Sequence, residues 1–341
     1  MNNANKIYKS ILTISGLIII FAGLKVADKI VVPFLLSMFI ALISFPLLNF
    51  FKSKKINTPI SVTLVLITII SISLSFAALI GTSINGFRKS LPAYKEKINL
   101  GIENISLLAE KLNLNINTNF LSDYIDPSFI MQSVANTISA FGNVLTNYFL
   151  ILFIVMFTLL EAAIFSEKLK KAFSDSGKPM PNLQSFSENM NKYLSIKTIV
   201  SIITGILIYF SLSIIGLDHA IMWGLIAFLL NYIPNIGSII ASIPAILIAL
   251  IQFNIYYALT VGLVYLIVNI VMGSIIEPKY LGKELGLSTL IIFLSLIFWG
   301  WLLGPVGMLL SVPLTMIVKI ALESNDDTRW IAILLSRNVK D

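Results

Sequence analysis

"NYIPNIGSIIASIP" (Asn231–Pro244) interrupts what otherwise reads as one long membrane segment. "DHAIMWGLIAFLL" leads into it from Asp218, and "AILIALIQF" leads out of it to Phe253. Two asparagines, two prolines and a glycine break the helix there. In hydrocarbon each backbone N–H or C=O freed by such a break costs several kcal/mol, on the order of a lost hydrogen bond, unless protein, water or a ligand meets it. A break at membrane depth is therefore a place where something polar is held.

The surrounding composition sets the solvent. The chain has 341 residues, 57% of them hydrophobic and 12% charged, with a mean hydropathy of +0.91. Soluble domains carry about 25% charged residues. Uncharged apolar runs of the ~20 residues needed to cross a ~30 Å hydrocarbon core recur along most of the length. These features predict an all-α polytopic membrane protein whose principal partner is the lipid bilayer. About eight membrane-embedded segments are expected, and a β-barrel would show short alternating segments instead. The net charge of +7 is spread through loops rather than gathered on one face, which argues against a nucleic-acid partner. With no cysteine and one histidine, thiolate sites and disulfides are excluded and a metal site is not expected.

Along the chain, residues 1–82 are expected to hold three membrane helices, Ile11–Ala27, Ile30–Phe51 and Thr58–Thr82. A polar insert, 83–142, follows with five basic and five acidic residues; "AYKEKINLGIENISLLAEKLNL" has amphipathic helical spacing. A fourth helix lies in 143–165, and 166–197 is a basic segment with a Gly-Lys-Pro-Met-Pro loop. Residues 198–322 form a C-terminal core with a fifth helix, Thr198–Leu217, then hairpins at 218–253 and 287–322 around a crossing at Ile255–Ile276, and 323–341 is a tail. If the helices alternate, the lysines at 6 and 9, at 52, 54 and 55, at 168–192, and at 279 and 283 all fall on one side. By the positive-inside bias that side is the cytoplasm, with both termini, in a cytoplasmic (plasma or inner) membrane. The insert then faces outside, and Lys25 and Lys29 dissent mildly, Lys25 being read as snorkelling to the interface.

The first hairpin has a partner in the second. "IGSIIASIPAILIAL" (Ile236–Leu250) aligns with "VGMLLSVPLTMIVKI" (Val306–Ile320) after deletion of one residue, and "LIAFLLNYIPNIG" aligns upstream with "SLIFWGWLLGPVG". One crossing separates the copies, so they are expected to be inverted repeats. Matched Gly/Pro-broken segments in two halves point to a transporter's solute site. The competing reading is two kinks where small residues let helices pack closely. Whether the hairpins cross fully or dip in and return is left open by loop charge.

At these residues the sequence resembles the autoinducer-2 exporter family, the PerM-like permeases. The similarity runs through "KYLSIKTIVSIITGILIYFSLSIIGLDHAIMWGLIAFLL" (Lys192–Leu230), the opening stretch, and "IIEPKYLGKELGLSTLIIFLSLIFWGWLLGPVGMLLSVPLTMIVKI" (Ile275–Ile320). It implies a multi-spanning permease for a small polar solute. Some relatives are assigned cation/proton antiport, so the coupling ion, H+ or Na+, stays open.

The residues expected to meet solute are Asn231, Pro234, Asn235, Gly237, Asn269, Gly304, Pro305 and Gly307. Glu277, Asp218 and Lys197 are proton or gate candidates. Their competing readings are ordinary: Glu277 paired with Lys279, Asp218 at the interface, and Lys197 snorkelling. Glu161 is read as a helix-end ion partner, His219 as a lone histidine beside Asp218, and Trp299 and Trp301 as an aromatic belt. No catalytic constellation, cofactor motif or Walker A sequence appears, so an enzyme is not expected. Three functions are weighed. The first is a secondary exporter working by alternating access, with autoinducer-2 as its candidate solute. The second is a Na+/H+ antiporter, which would want a carboxylate at depth that the sequence does not display. The third is a scaffold or receptor using the 83–142 insert. A homo-oligomer is compatible with so apolar a bundle, although nothing in the sequence counts subunits.

Overall fold

The computed structural model describes residues 2–111, 148–174, 183–234, 236–281, 287–323 and 327–336. The described residues form an all-α polytopic membrane protein. Its helices are α1 (Asn2–Val26), α2 (Asp28–Ser53), α3 (Thr58–Lys111), α4 (Tyr148–Ser174), α5 (Leu183–Ile215), α6 (Ala220–Leu230), α7 (Ile236–Gln252) and α8 (Ile255–Asn269). A π-helical segment (Ile270–Ile276), α9 (Glu277–Leu281), α10 (Thr289–Glu323) and α11 (Arg329–Leu335) complete the order. Among the described residues five helices are long and apolar enough to cross a membrane, at 28–53, 58–90, 190–215, 255–280 and 289–323. Shorter apolar helices lie at 148–162, 220–230 and 236–252.

Three expectations change in detail. The third helix does not end at Thr82 but continues to Lys111, because the polarity change at 83 alters the solvent without supplying a terminator. The helix expected in the insert is therefore the continuation of α3, while 112–142 and the Gly-Lys-Pro-Met-Pro loop lie outside the described residues. The fifth helix begins at Leu183 rather than Thr198. The tail carries α11, whose end folds back so that the Ser288 amide donates to the Leu335 carbonyl at 3.1 Å.

The chain divides into two compact units. One comprises 1–66, 144–191 and 283–341. Its core is α2 on α4, with Phe39, Ala41 and Leu48 buried along α2 and Ile151, Val155 and Leu159 at four-residue spacing along α4. Helix α10 holds the second hairpin and turns at Gly304, whose φ of 66° and ψ of −151° lie in a region open essentially only to glycine. Trp299 ties the two arms together by donating its indole N–H to Thr315 Oγ1 at 3.0 Å, so its place is inside the hairpin rather than in an aromatic belt. Trp301 is exposed, and Lys25 lies 4.3 Å over its ring while donating to its carbonyl. Lys25 thus has a protein partner and does not simply snorkel. Glu161 does meet the basic segment, through Lys168 at 2.6 Å, but both side chains are more than half exposed and such pairs contribute little.

The other unit comprises 67–143 and 192–282. It contains the first hairpin, α6 and α7, packed between α5 and α8. Helix α5 ends in a Schellman motif: Gly216, at φ 80°, donates to the Ser213 carbonyl, and the Leu217 amide reaches back to Leu212. The chain then enters α6 through His219, itself in the left-handed region at φ 59°. With 11 residues, α6 is roughly 16 Å long, about half the ~30 Å hydrocarbon thickness. On length, this arm of the hairpin dips in and does not cross.

Candidate functional site

The site is built where α5 meets the break after α6. Gly205 and Gly224 let the two backbones touch: a Cβ on either would stand 2.8 Å from the other's carbonyl oxygen. That contact fixes the register. One turn before Gly205 lies Ser201, and two turns beyond Gly224 lies Asn231. The Asn231 side chain donates to Ser201 Oγ at 3.0 Å, and the adjacent Tyr232 hydroxyl donates to Thr198 Oγ1 at 2.8 Å. Asn231, Ser201 and the neighbouring Thr204 are all buried.

One residue before Thr198 on α5, Lys197 is 3% exposed, and its ammonium donates to both carboxylate oxygens of Glu277 at 2.8 Å. Neither competing reading of these residues survives. Lys197 does not snorkel, because its head group is inside the protein, and Glu277 pairs with Lys197 rather than with Lys279. Two charges buried together satisfy each other, whereas either alone is strongly unfavourable. Tyr193, one turn earlier on α5, is buried within electrostatic reach of both Glu277 and Tyr232.

The π-helical segment explains how Glu277 comes to face α5. The buried side of α8 runs through Ala258, Val261 and Tyr265. At about 100° per residue, an unbroken α-helix would put Glu277 about 120° away from Tyr265, off that side. The wider turns of Ile270–Ile276, closed by the Glu277 amide donating to the Met272 carbonyl five residues back, absorb one extra residue and return roughly 100°. A π segment is thus spent on aiming one carboxylate inward.

The remaining expected residues separate. Pro234 is half-buried in the tight turn, its carbonyl accepting from the Ile236 amide at 2.6 Å. Asn235 lies outside the described residues. Gly237 is buried where a Cβ would stand 1.8 Å from the Leu230 carbonyl oxygen, so the hairpin closes on it. Asn269 is half-buried at the start of the π segment, with its amide oxygen over Gly273. Gly304, Pro305 and Gly307 form the corresponding turn of the second hairpin, where a Cβ on Gly307 would stand 2.0 Å from the Trp299 carbonyl oxygen. The two glycines do the same job in the two hairpins, seven residues after the touched carbonyl in one and eight in the other.

Asp218 is not with Lys197 and Glu277. It sits at the other end of α5, accepting from the Tyr94 hydroxyl at 2.7 Å, while its amide donates to Gln252 Oε1 at 2.9 Å and its carbonyl accepts from the Trp223 indole. Lys97 closes the same corner by donating to the Gln252 carbonyl at 2.7 Å. Burial pushes the Tyr94 hydroxyl above its ordinary range, assisted by the bond to Asp218 and its charge. His219 is held below its ordinary range by burial, against the opposing pull of Asp218. Here α3 laces the mouth of the first hairpin shut, through Phe87, which packs on Tyr94, His219 and Trp223.

Sequence reading missed Tyr193, Ser201 and Tyr232 as members of the site. The signal was present: Tyr193, Lys197 and Ser201 recur every four residues on one face, a pattern hidden by starting the helix at Thr198.

The sequence model described as AI-2E family transporter matches residues 14–325. The AI-2 transport protein TqsA of Escherichia coli K12 is 40% identical over 96% of this chain and 95% of its own length. A putative transport protein of Haemophilus influenzae is also 40% identical, over 98% of each chain, and the putative transport protein YhhT of Escherichia coli K12 is 32% identical over 95% of this chain and 93% of its own. A multi-pass membrane chain with broken hairpins, a buried polar cluster at one break and this likeness along nearly its whole length belongs to the AI-2E family of transporters.

Proposed function

We propose that the protein is a secondary exporter of a small polar solute, autoinducer-2 being the solute to test first because the similar TqsA carries that substrate in its name. Transport proceeds by alternating access across the cytoplasmic membrane, with both termini in the cytoplasm. The observation that carries the reading is the buried, overall neutral cluster of Lys197, Glu277, Ser201 and Asn231 beside a helix break. Such a cluster offers donors and acceptors at depth without a net charge. Solute entering the break exchanges hydrogen bonds with Asn231 and Ser201, and the Lys197–Glu277 pair supplies the groups whose rearrangement accompanies it. Gly237 and Pro234 shape the turn, and Asn269 borders the π segment.

The test is efflux of labelled autoinducer-2 from proteoliposomes. Asn231→Ala removes one buried hydrogen bond, which destabilises by about 1–3 kcal/mol and leaves folded protein to assay. Efflux is expected to fall at least about tenfold, the equivalent of ~1.4 kcal/mol in the transport barrier. Efflux unchanged in well-folded Asn231→Ala protein would remove the first hairpin from the pathway.

A second reading, Na+/H+ antiport, gains from the same structure, because Glu277 is the inward-facing carboxylate that it needs. Sodium-driven alkalinisation or acidification of the same vesicles, lost in Glu277→Gln, would favour it. Absence of any sodium-dependent proton movement would dismiss it.

A further inference from the structure

At the end of α5 opposite Lys197, a cleft of about 380 Å³ opens between α3, α5 and the start of α6. It lies wholly within the second unit. Its polar lining is Thr82 and Ser83 from α3, Tyr209 and Ser213 from α5, and His219. Ser213 lies sixteen residues beyond Lys197 on the same helix, roughly 24 Å away. The cleft is therefore separate from the cluster described above.

Its chemistry is specific. Four hydroxyl-bearing residues and a histidine line it, the former in segments that are otherwise apolar, "FAALIGTS" and "ILIYFSLS". Among the described residues no Lys, Arg, Asp or Glu lines it, and the adjacent Asp218 is engaged by Tyr94. Thr82 already donates to the Ala78 and Leu79 carbonyls at 3.0 Å, so toward the cleft its oxygen is an acceptor. His219 is held firmly: its carbonyl accepts from the Met222 amide at 2.8 Å, Phe87 packs on its ring, and a Cβ on Gly86 would stand 2.8 Å from its Cε1. Its Nε2 is buried, closed off from the cleft itself, and has no hydrogen-bond partner among the described residues. The cleft's volume is at the lower end of the ~300–1,000 Å³ range of small-molecule sites.

We propose that this cleft is a second solute site, selective for a neutral, polyhydroxylated molecule of five or six carbons. A solute that presents several hydroxyls matches a lining that can both donate and accept, and the lack of a charged side chain leaves an anion or cation uncompensated on leaving water. As a place where cargo pauses on its way through, the cleft rests on the transporter reading. As a binding site it does not.

The probe is labelled ribitol, with ribonate as a comparator of the same length carrying a carboxylate, measured by equilibrium binding to the full chain in nanodiscs. Saturable ribitol binding is expected, with ribonate at least about tenfold weaker. Tyr209→Phe should weaken ribitol by about five- to tenfold, the loss of one hydrogen bond. Ser213→Leu, at an exposed position where folding tolerates bulk, should fill the cleft and abolish binding. Failure of ribitol to bind, equal binding of ribonate, or binding indifferent to Ser213→Leu would each overturn the inference. Because the assay needs no transport, its outcome separates from that of autoinducer-2 efflux. Ribitol binding without efflux sinks only the exporter reading, and efflux without ribitol binding sinks only the cleft.

Discussion

Glu277→Ala is expected to destabilise the protein by about 3–5 kcal/mol, because it leaves the Lys197 ammonium buried without its counter-charge. Lys197→Ala should have an effect of similar size from the other side, stranding a carboxylate that is only 16% exposed. The double variant Lys197→Met, Glu277→Leu behaves differently. Replacing a buried pair by apolar side chains of similar volume is often neutral or stabilising, so thermal unfolding should return to near the wild-type value. That recovery gives the transport measurement its meaning. If the pair serves the solute pathway, the double variant is stable and inactive. If it is only a structural clasp between α5 and α9, efflux returns along with stability, and both residues leave the list of functional groups. The exchanged pair, Lys197→Glu with Glu277→Lys, restores the attraction but reverses its direction, so activity there would show that neutrality rather than polarity is what the site uses.

How far this pair was visible in the sequence depends on which interaction sets each position. The apolar runs dictated the membrane helices directly, since burial in lipid needs only length and composition. The two broken hairpins were also visible, because Gly and Pro at matching offsets act locally. Lys197 and Glu277 were singled out, but as separate interfacial residues. Their partnership depends on the π segment at 270–276, which turns Glu277 inward, and an α-helical wheel points it away. The placement of Asp218 was likewise beyond local reading. It is held by Tyr94, from a helix that continues past the expected boundary at Thr82, and a pairing across 124 residues leaves no periodic trace. Ser201 was legible once α5 was extended back to Leu183. The extension was missed because 166–197 was read as one basic segment around the Gly-Lys-Pro-Met-Pro loop, although nothing between Leu183 and Lys197 breaks a helix.

Gly237→Ala and Gly307→Ala should each be more damaging than any other single methyl added to the two hairpins, and by the same mechanism. At Gly237 the new Cβ would stand 1.8 Å from the Leu230 carbonyl oxygen, and at Gly307 it would stand 2.0 Å from that of Trp299. Real Cβ contacts are not found below 3.0 Å, and the obstacle is backbone at the end of a helix, which has no rotamer to give way. The arms must part, breaking at Gly237 the 3.3 Å bond from its amide to the Ile233 carbonyl. Overpacking alone costs about 1–3 kcal/mol, and a collision with a carbonyl belongs at or above the top of that range. Two controls isolate the cause. Gly81→Ala adds its methyl to open space within α3, so helix propensity alone acts, favouring alanine by up to about 1 kcal/mol. Gly304→Ala also meets nothing, but it forces alanine to φ 66°, so its penalty of about 1–3 kcal/mol is purely conformational. Thermal unfolding in one detergent should therefore rank Gly81→Ala at or above wild type, Gly304→Ala below it, and the two hairpin glycines lowest and close together. If Gly237→Ala and Gly307→Ala differ widely, the two turns do not do equivalent work, and the likeness between "NYIPNIG" and "WLLGPVG" is a coincidence of composition. If they fall together, the same close approach has been built twice, with one residue more in the second turn and the difference taken up by the left-handed glycine at 304.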